Sequence, residues 1–353
     1  MNGRTTELRG DLLKGQVIPA TPLALNEKRA WSERDQRALV RYYLDAGAGG
    51  IAVGVHTTQF EIRKKKHGLL RPVLELVSEE IEARRAERKR PVVKVAGVCG
   101  QLQQAFGEAQ LAAELGYDAG LLSTRGLDDF TEKEIVEHCR IIAKVIPLIG
   151  FYLQASIGGR TLSYDFWRRF VDIPEVVAIK VAAFNRYHTW EVVRAVLESG
   201  REDVALYTGN DDNIIMDLLT PQTYLVDGER QRRYFSGGLL GQWAVGTRRA
   251  VKMLEAIKVE RRKLSVNRVW LERNIALTDI NAAIFDAANG FAGCVPGVME
   301  VLRRQGLLPS ILCLDPEETL SLGQARELDR VSEAYPDFWD DRFVRENLER
   351  WLS

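Results

Sequence analysis

Lys180 stands in VVAIKVAAF, an apolar run long enough for one buried strand, where a lysine needs either a partner or a task. Desolvation disfavours an ammonium, and the neutral amine it leaves attacks carbonyl carbons. A neighbouring carboxylate would make the same lysine structural, and Lys94 in VVKVAG is a competing instance. Tyr152 ends the run PLIGFYL. Its hydroxyl can carry protons to and from a carbinolamine, and its ring can equally be a core aromatic with a wet tip. Gly54-Val55-His56-Thr57-Thr58-Gln59-Phe60 puts a glycine and two hydroxyls after a strand, donors suited to a substrate carboxylate. In that segment His56 also fits an ordinary loop histidine. Arg160, after Gly158-Gly159, can offer a planar fork to a second carboxylate, or be a surface arginine. Gly209-Asn210-Asp211-Asp212 reads mainly as a turn and helix cap, with Gly209 next to the substrate.

These residues lie in or after short apolar runs that alternate with helix-like segments from Gln16 to about residue 260. The strand candidates are 16–21, 50–55, 91–97, 118–124, 147–153, 176–183, 204–209 and YFSGGL at 234–239. TYLV, at 223–226, competes for the eighth place, but YFSGGL precedes a long apolar helix expected from Leu240 to about Ile257. Eight alternations without a GxGxxG after the first strand favour a closed (β/α)₈ barrel over a dinucleotide-binding sheet. Ser32 with Asp35 and Thr131 with Glu134 have capping-box spacing, and Gly47, Gly116 and Gly200 are placed to end helices. Beyond residue 265 the alternation stops, so residues 1–260 are expected to form the barrel that carries the active site. Residues 261–353 are expected to form a helical region packed on the barrel or on a neighbouring subunit.

Lys+Arg and Asp+Glu balance at 49 each, which removes the electrostatic footprint of a nucleic-acid or membrane-surface binder. The basic runs 63–66 and 84–90 are interleaved with Glu, flank helices and read as solvated faces. Cys99, Cys139, Cys294 and Cys313 show no CxxC spacing, and His56, His67, His138 and His188 show no ligand-like clustering, so no metal is expected. No apolar run approaches the roughly 18 residues that span a bilayer. The expectation is a soluble, unprocessed chain in a reducing cytoplasm.

Taken together, residues 15 to 310 resemble the dihydrodipicolinate synthase and N-acetylneuraminate lyase family of class I aldolases. The likeness rests on Val17-Ile18-Pro19-Ala20-Thr21-Pro22, the Gly54 loop with its threonine pair, Tyr152, Ile179-Lys180 and Tyr207-Thr208-Gly209-Asn210-Asp211-Asp212. The resemblance implies a Schiff base on Lys180, favoured over Lys94, proton relay by Tyr152, and carboxylate binding by the threonine pair. It also implies a homotetramer or homodimer that acts on pyruvate or another 2-oxo acid with an aldehyde or sugar-acid partner, without a cofactor. The chain departs from the family in three places, one of them the arginine usually found soon after the fifth-strand tyrosine, which is displaced and leaves Arg160 as a substitute. Val55 and His56 intervene in the usual G-T-T-G-E, and Leu122-Ser123-Thr124-Arg125 replaces the usual Pro-Tyr-Tyr. Poor condensation of pyruvate with aspartate semialdehyde is therefore expected, with Arg160 holding the far end of another substrate. The rival readings are a dehydratase or decarboxylating hydrolyase using the same lysine, a catalytically silent metabolite-binding barrel, and a metal-dependent aldolase.

Overall fold

Parallel strands buried on both faces read as continuous apolar runs, and that is why the strand candidates were legible. A computed structural model describes residues 3–87 and 91–353; Arg88, Lys89 and Arg90 of the second basic run lie outside the described residues. The strands are β1 (Val17–Pro19), β2 (Gly50–Val53), β3 (Val93–Val98), β4 (Ala119–Leu122), β5 (Leu148–Leu153), β6 (Val176–Ala182), β7 (Ala205–Thr208), β8 (Gln222–Val226), β9 (Glu229–Arg233) and β10 (Phe235–Leu240). Eight of them make the parallel sheet of a (β/α)₈ barrel, in the order β1-β10-β7-β6-β5-β4-β3-β2. YFSGGL supplies the eighth strand, whereas TYLV belongs to an antiparallel hairpin of β8 with β9.

The helices are α1 (Gly3–Leu13), α2 (Glu33–Ala46), α3 (Leu70–Ala83), α4 (Leu102–Glu114), α5 (Glu132–Ala143), α6 (Tyr164–Val171), α7 (Arg186–Glu198), α8 (Ile214–Leu219), α9 (Thr247–Glu260), α10 (Val269–Ile284), α11 (Cys294–Arg304), α12 (Gln324–Ala334) and α13 (Asp341–Leu352). The expected helix from Leu240 begins only at Thr247, because Leu240 still belongs to β10 and a short 3₁₀ turn, Gln242–Ala244, intervenes. Thr131 and Glu134 close a reciprocal capping box. Ser32 does not cap: its hydroxyl donates to the Asp35 carboxylate at 2.6 Å. Gly47, Gly116 and Gly200 all take the left-handed backbone expected at helix ends.

The chain divides into two compact units, residues 1–16 with 93–239 and residues 17–92 with 240–353. In the first, β3 to β7 carry α4 to α8 on one face. Gly150 shows which face: a Cβ there would meet Phe170 and Trp167 of α6. Residues of the same parity face the helices, and the alternate residues face the other way. In the second unit the chain's last helix packs on α2. Tyr42 donates to Asp340 at 2.8 Å and accepts the Thr247 amide at 3.0 Å, while Trp351, fully buried, donates to Asp45 at 2.6 Å.

Candidate active site

Lys180 is in register with Phe151 on β5 and with Tyr207 on β7, so the three side chains leave the sheet on the face opposite the helices. Lys180 is only 8% exposed, and its Nζ lies 4.3 Å from the centre of the Phe151 ring. A ring face attracts a cation, so this geometry stabilises positive charge at Nζ without donating or accepting a proton. The side chain needs Gly209: a Cβ there would stand 2.6 Å from Lys180 Cε and 2.9 Å from Ala182 Cβ. Gly209 thus forms a notch that fits the lysine, a role beyond the turn read from sequence. On the other flank, the Tyr207 hydroxyl donates to Leu12 O at 2.9 Å and accepts the Gln16 amide at 3.1 Å, and burial pushes its phenol up. The competing Lys94 faces the helices: a Cβ on Gly116, just after α4, would be 3.4 Å from its Nζ.

Tyr152 does not reach Lys180, which corrects the expected relay. It pairs in register with Val181 and has the parity of Gly150, so its ring enters the helix layer. There it stacks on His188 of α7 at 5.9 Å and tilts against Trp167 of α6 at 5.3 Å between ring centres. Burial pushes its phenol up, opposed by the Leu162 amide, which donates to the hydroxyl at 3.4 Å. Tyr152 is the core aromatic with a polar tip. The ring beside the lysine belongs to its neighbour Phe151, which sequence reasoning passed over.

The loops after these strands are heavily braced. Buried Asp217 accepts from Thr208 Oγ1 at 2.7 Å, Asn210 Nδ2 at 2.9 Å and Asn213 Nδ2 at 3.1 Å, and it pairs with Arg186. Asn210 also accepts the Phe184 amide at 2.9 Å, so most of the Gly209–Asp212 segment is architecture. Burial pushes the Asp212 carboxyl up, opposed by Arg186. Arg160 donates through Nη1 to the carbonyls of Leu127 and Phe130 at 2.9 and 3.0 Å, and so clamps the β4–α5 loop. Arg125, missed in the sequence, lies beside the Gly158 backbone: a Cβ on Gly158 would be 2.7 Å from its Nη1. Ser123 follows β4 with the parity of Phe151, is buried, and accepts the Arg125 amide at 3.2 Å.

In the second unit, Gly54 takes a left-handed φ of 72° after β2, and His56–Thr58 form a 3₁₀ turn. Thr58 Oγ1 accepts the Gly54 amide at 3.0 Å and donates to Thr21 O at 2.7 Å, pinning the loop to the end of β1. Thr57 Oγ1 donates to Ala20 O at 2.8 Å. His56 lies 6.1 Å from Phe60 between ring centres. Lys64, Lys65 and Lys66 are exposed, as expected of a solvated face, and Arg63 alone departs from that reading: it donates to Gly54 O at 2.9 Å and holds this loop from behind. Among the described residues no three His, Cys, Asp or Glu side chains gather as metal ligands would, and no helix is long and apolar enough to cross a membrane.

The model of the dihydrodipicolinate synthetase family matches residues 14–221. A 4-hydroxy-tetrahydrodipicolinate synthase from Oleidesulfovibrio alaskensis is 28% identical over 190 residues, 53% of this chain and 61% of that protein. One from Staphylococcus haemolyticus is 28% identical over 204 residues, 56% of this chain and 63% of that protein. The chain therefore matches less than two thirds of the length of these relatives. In fold it is similar to the dihydrodipicolinate synthase of Oceanobacillus iheyensis, with TM-score 0.71, 18% identity, and coverage of 93% of this chain and 99% of that one. It is also similar to N-acetylneuraminate lyase from Fusobacterium nucleatum complexed with pyruvate, with TM-score 0.69, 18% identity, and coverage of 92% and 97%.

Proposed function

The chain belongs to the dihydrodipicolinate synthetase family, and from that premise we propose that it is a lyase or aldolase whose Lys180 forms a Schiff base with pyruvate or another 2-oxo acid. The observation that carries this reading is the setting of Lys180: a buried amine under the Phe151 ring, in a notch that only a glycine at position 209 leaves open. The neutral amine attacks the carbonyl carbon, the carbinolamine loses water, and the protonated imine accepts the electron pair of an adjacent breaking bond as an enamine. Protonation at carbon and hydrolysis then free the lysine. The Phe151 ring favours the cationic imine. No cofactor enters this scheme.

Water can leave the carbinolamine only if a group delivers a proton, and we assign that relay to Ser123 rather than Tyr152. Ser123 shares the face of Phe151 and Lys180, and its accepting bond from Arg125 leaves its own O–H to donate. The carboxylate of the 2-oxo acid is assigned to the backbone N–H of Thr57, whose hydroxyl is already committed to Ala20 O, with His56 beside it. Thr58 and Gly54 shape the loop through their mutual bond. Arg160, whose Nη1 is committed to two carbonyls, keeps its other donors for the distal carboxylate or hydroxyls of the substrate. The partner is an aldehyde or sugar acid, residues 1–260 carry the chemistry, residues 261–353 pack on the barrel or a neighbouring subunit, and the protein is a cytoplasmic homotetramer or homodimer.

Borohydride reduction in the presence of a panel of 2-oxo acids tests the proposal, because it converts an imine into a stable secondary amine. The expected result is one reduced adduct on the Lys180 peptide, absent from Lys180→Met. Labelling at Lys94, or no labelling with any 2-oxo acid, overturns it.

A further inference from the structure

Away from Lys180, within the second unit, α9, α10 and the Pro336–Phe338 turn enclose a cavity of about 210 Å³. Arg249 and Lys252 on α9 form a wall that it shares with a second hollow of about 320 Å³. Met253, Trp270 and Leu277 give the first cavity an apolar floor. Arg273 lies 5.6 Å from the Trp270 ring centre and 5.5 Å from that of Phe338, so two aromatic rings hold its guanidinium at the rim. Three cations thus line this cavity against one carboxylate, Asp337.

One feature of α9 breaks a local rule. Its first turns carry Arg248, Arg249 and Lys252 and no acidic residue, although the positive end of a helix dipole disfavours cations. Asp340 offsets part of that cost by accepting the Arg248 and Arg249 amides at 2.7 and 3.1 Å. Natural proteins break such local rules at functional sites.

We infer that this cavity binds a small organic anion, with its oxyanion group between Arg249 and Lys252 and its apolar body against Met253, Leu277 and Trp270. A carboxylate and a phosphate monoester share this chemistry, and the experiment separates them. The full chain is titrated by calorimetry with 4-hydroxybenzoate, 4-hydroxyphenyl phosphate and inorganic phosphate. One aromatic probe should bind with a dissociation constant of about 1 mM or tighter, and whichever binds better identifies the head group. Lys252→Ala should weaken that binding by about fivefold, the worth of one exposed charge pair. Ala256→Phe, which fills the apolar lobe from α9, should abolish it. Both variants should keep the parent melting temperature, since residues 252 and 256 are exposed. Failure of both aromatic probes to bind, inorganic phosphate binding as well as they do, or binding that survives Ala256→Phe would each overturn the inference.

Discussion

Gly209→Ala adds one methyl where the structure has no room for it. The new Cβ would stand 2.6 Å from Lys180 Cε, whereas carbon atoms in contact sit about 3.5–4.0 Å apart, so Cε must retreat by roughly 1 Å. Ala182 Cβ, at 2.9 Å on the same side, cannot swing away and closes the other route. Because Cε lies near the end of a flexible chain, the cost to the fold should fall at the low end of the about 1–3 kcal/mol typical of overpacking. The cost to chemistry should be larger, because a displacement of about 1 Å in a reacting group is worth on the order of 10²-fold in rate. The assay compares the initial rate of borohydride-trapped imine with pyruvate in parent and variant, alongside thermal melts. Gly107→Ala on α4, where a Cβ meets nothing within 4 Å, is the control and should leave both readings unchanged or raise stability slightly. A Gly209→Ala protein that traps pyruvate within about threefold of the parent rate would refute the notch. So would a loss of trapping that simply tracks a loss of folded protein.

Tyr152→Phe should leave imine formation and turnover within about threefold of the parent, since the lost hydroxyl only accepts the long bond from Leu162 in the helix layer. Ser123→Ala should slow imine formation by roughly 10²-fold, the usual worth of a positioned acid and base, and the opposite ranking in the same stopped-flow series would return the relay to Tyr152. Asp279 is held below the usual carboxylate range by its bonds from Arg330, helped by Tyr335. The stabilisation it provides should be present above an unfolded value of about 3.9 and vanish as pH falls through the lower folded value. Asp279→Asn should thus cost about 1 kcal/mol or less in denaturant melts at pH 6, a gap that closes below about pH 4. Tyr42→Phe should destabilise by about 1–3 kcal/mol, because it deprives the buried Asp340 carboxylate of a donor.

The barrel was legible because burial on both faces writes each parallel strand as an apolar run, and because helix ends such as Thr131–Glu134 are satisfied by residues three apart. The same spacing misled at Ser32, where the hydroxyl spends its proton on the Asp35 carboxylate itself and no amide is capped. The facing of the strands was not legible. Phe151 and Tyr152 are neighbours in one apolar run, and a shift of one residue moves a side chain to the other face of a sheet. Only the register of β5 on β6, with Phe151 opposite Lys180, decides which ring meets the lysine, and that pairing is a tertiary fact. Loop roles were hidden for a related reason. Arg63, Thr57, Thr58 and Arg160 all end on backbone carbonyls, and every residue but none in particular offers one, so no spacing of side chains announces the partner. Gly209 sits between these cases. Its type was visible in the sequence, but the reason for it, contact with a lysine on another strand, requires the packed sheet. Chemistry-bearing residue types can therefore be read from this chain more securely than their aim. In a parallel barrel the aim is set by strand register, and register depends on the neighbouring strand as much as on the strand itself.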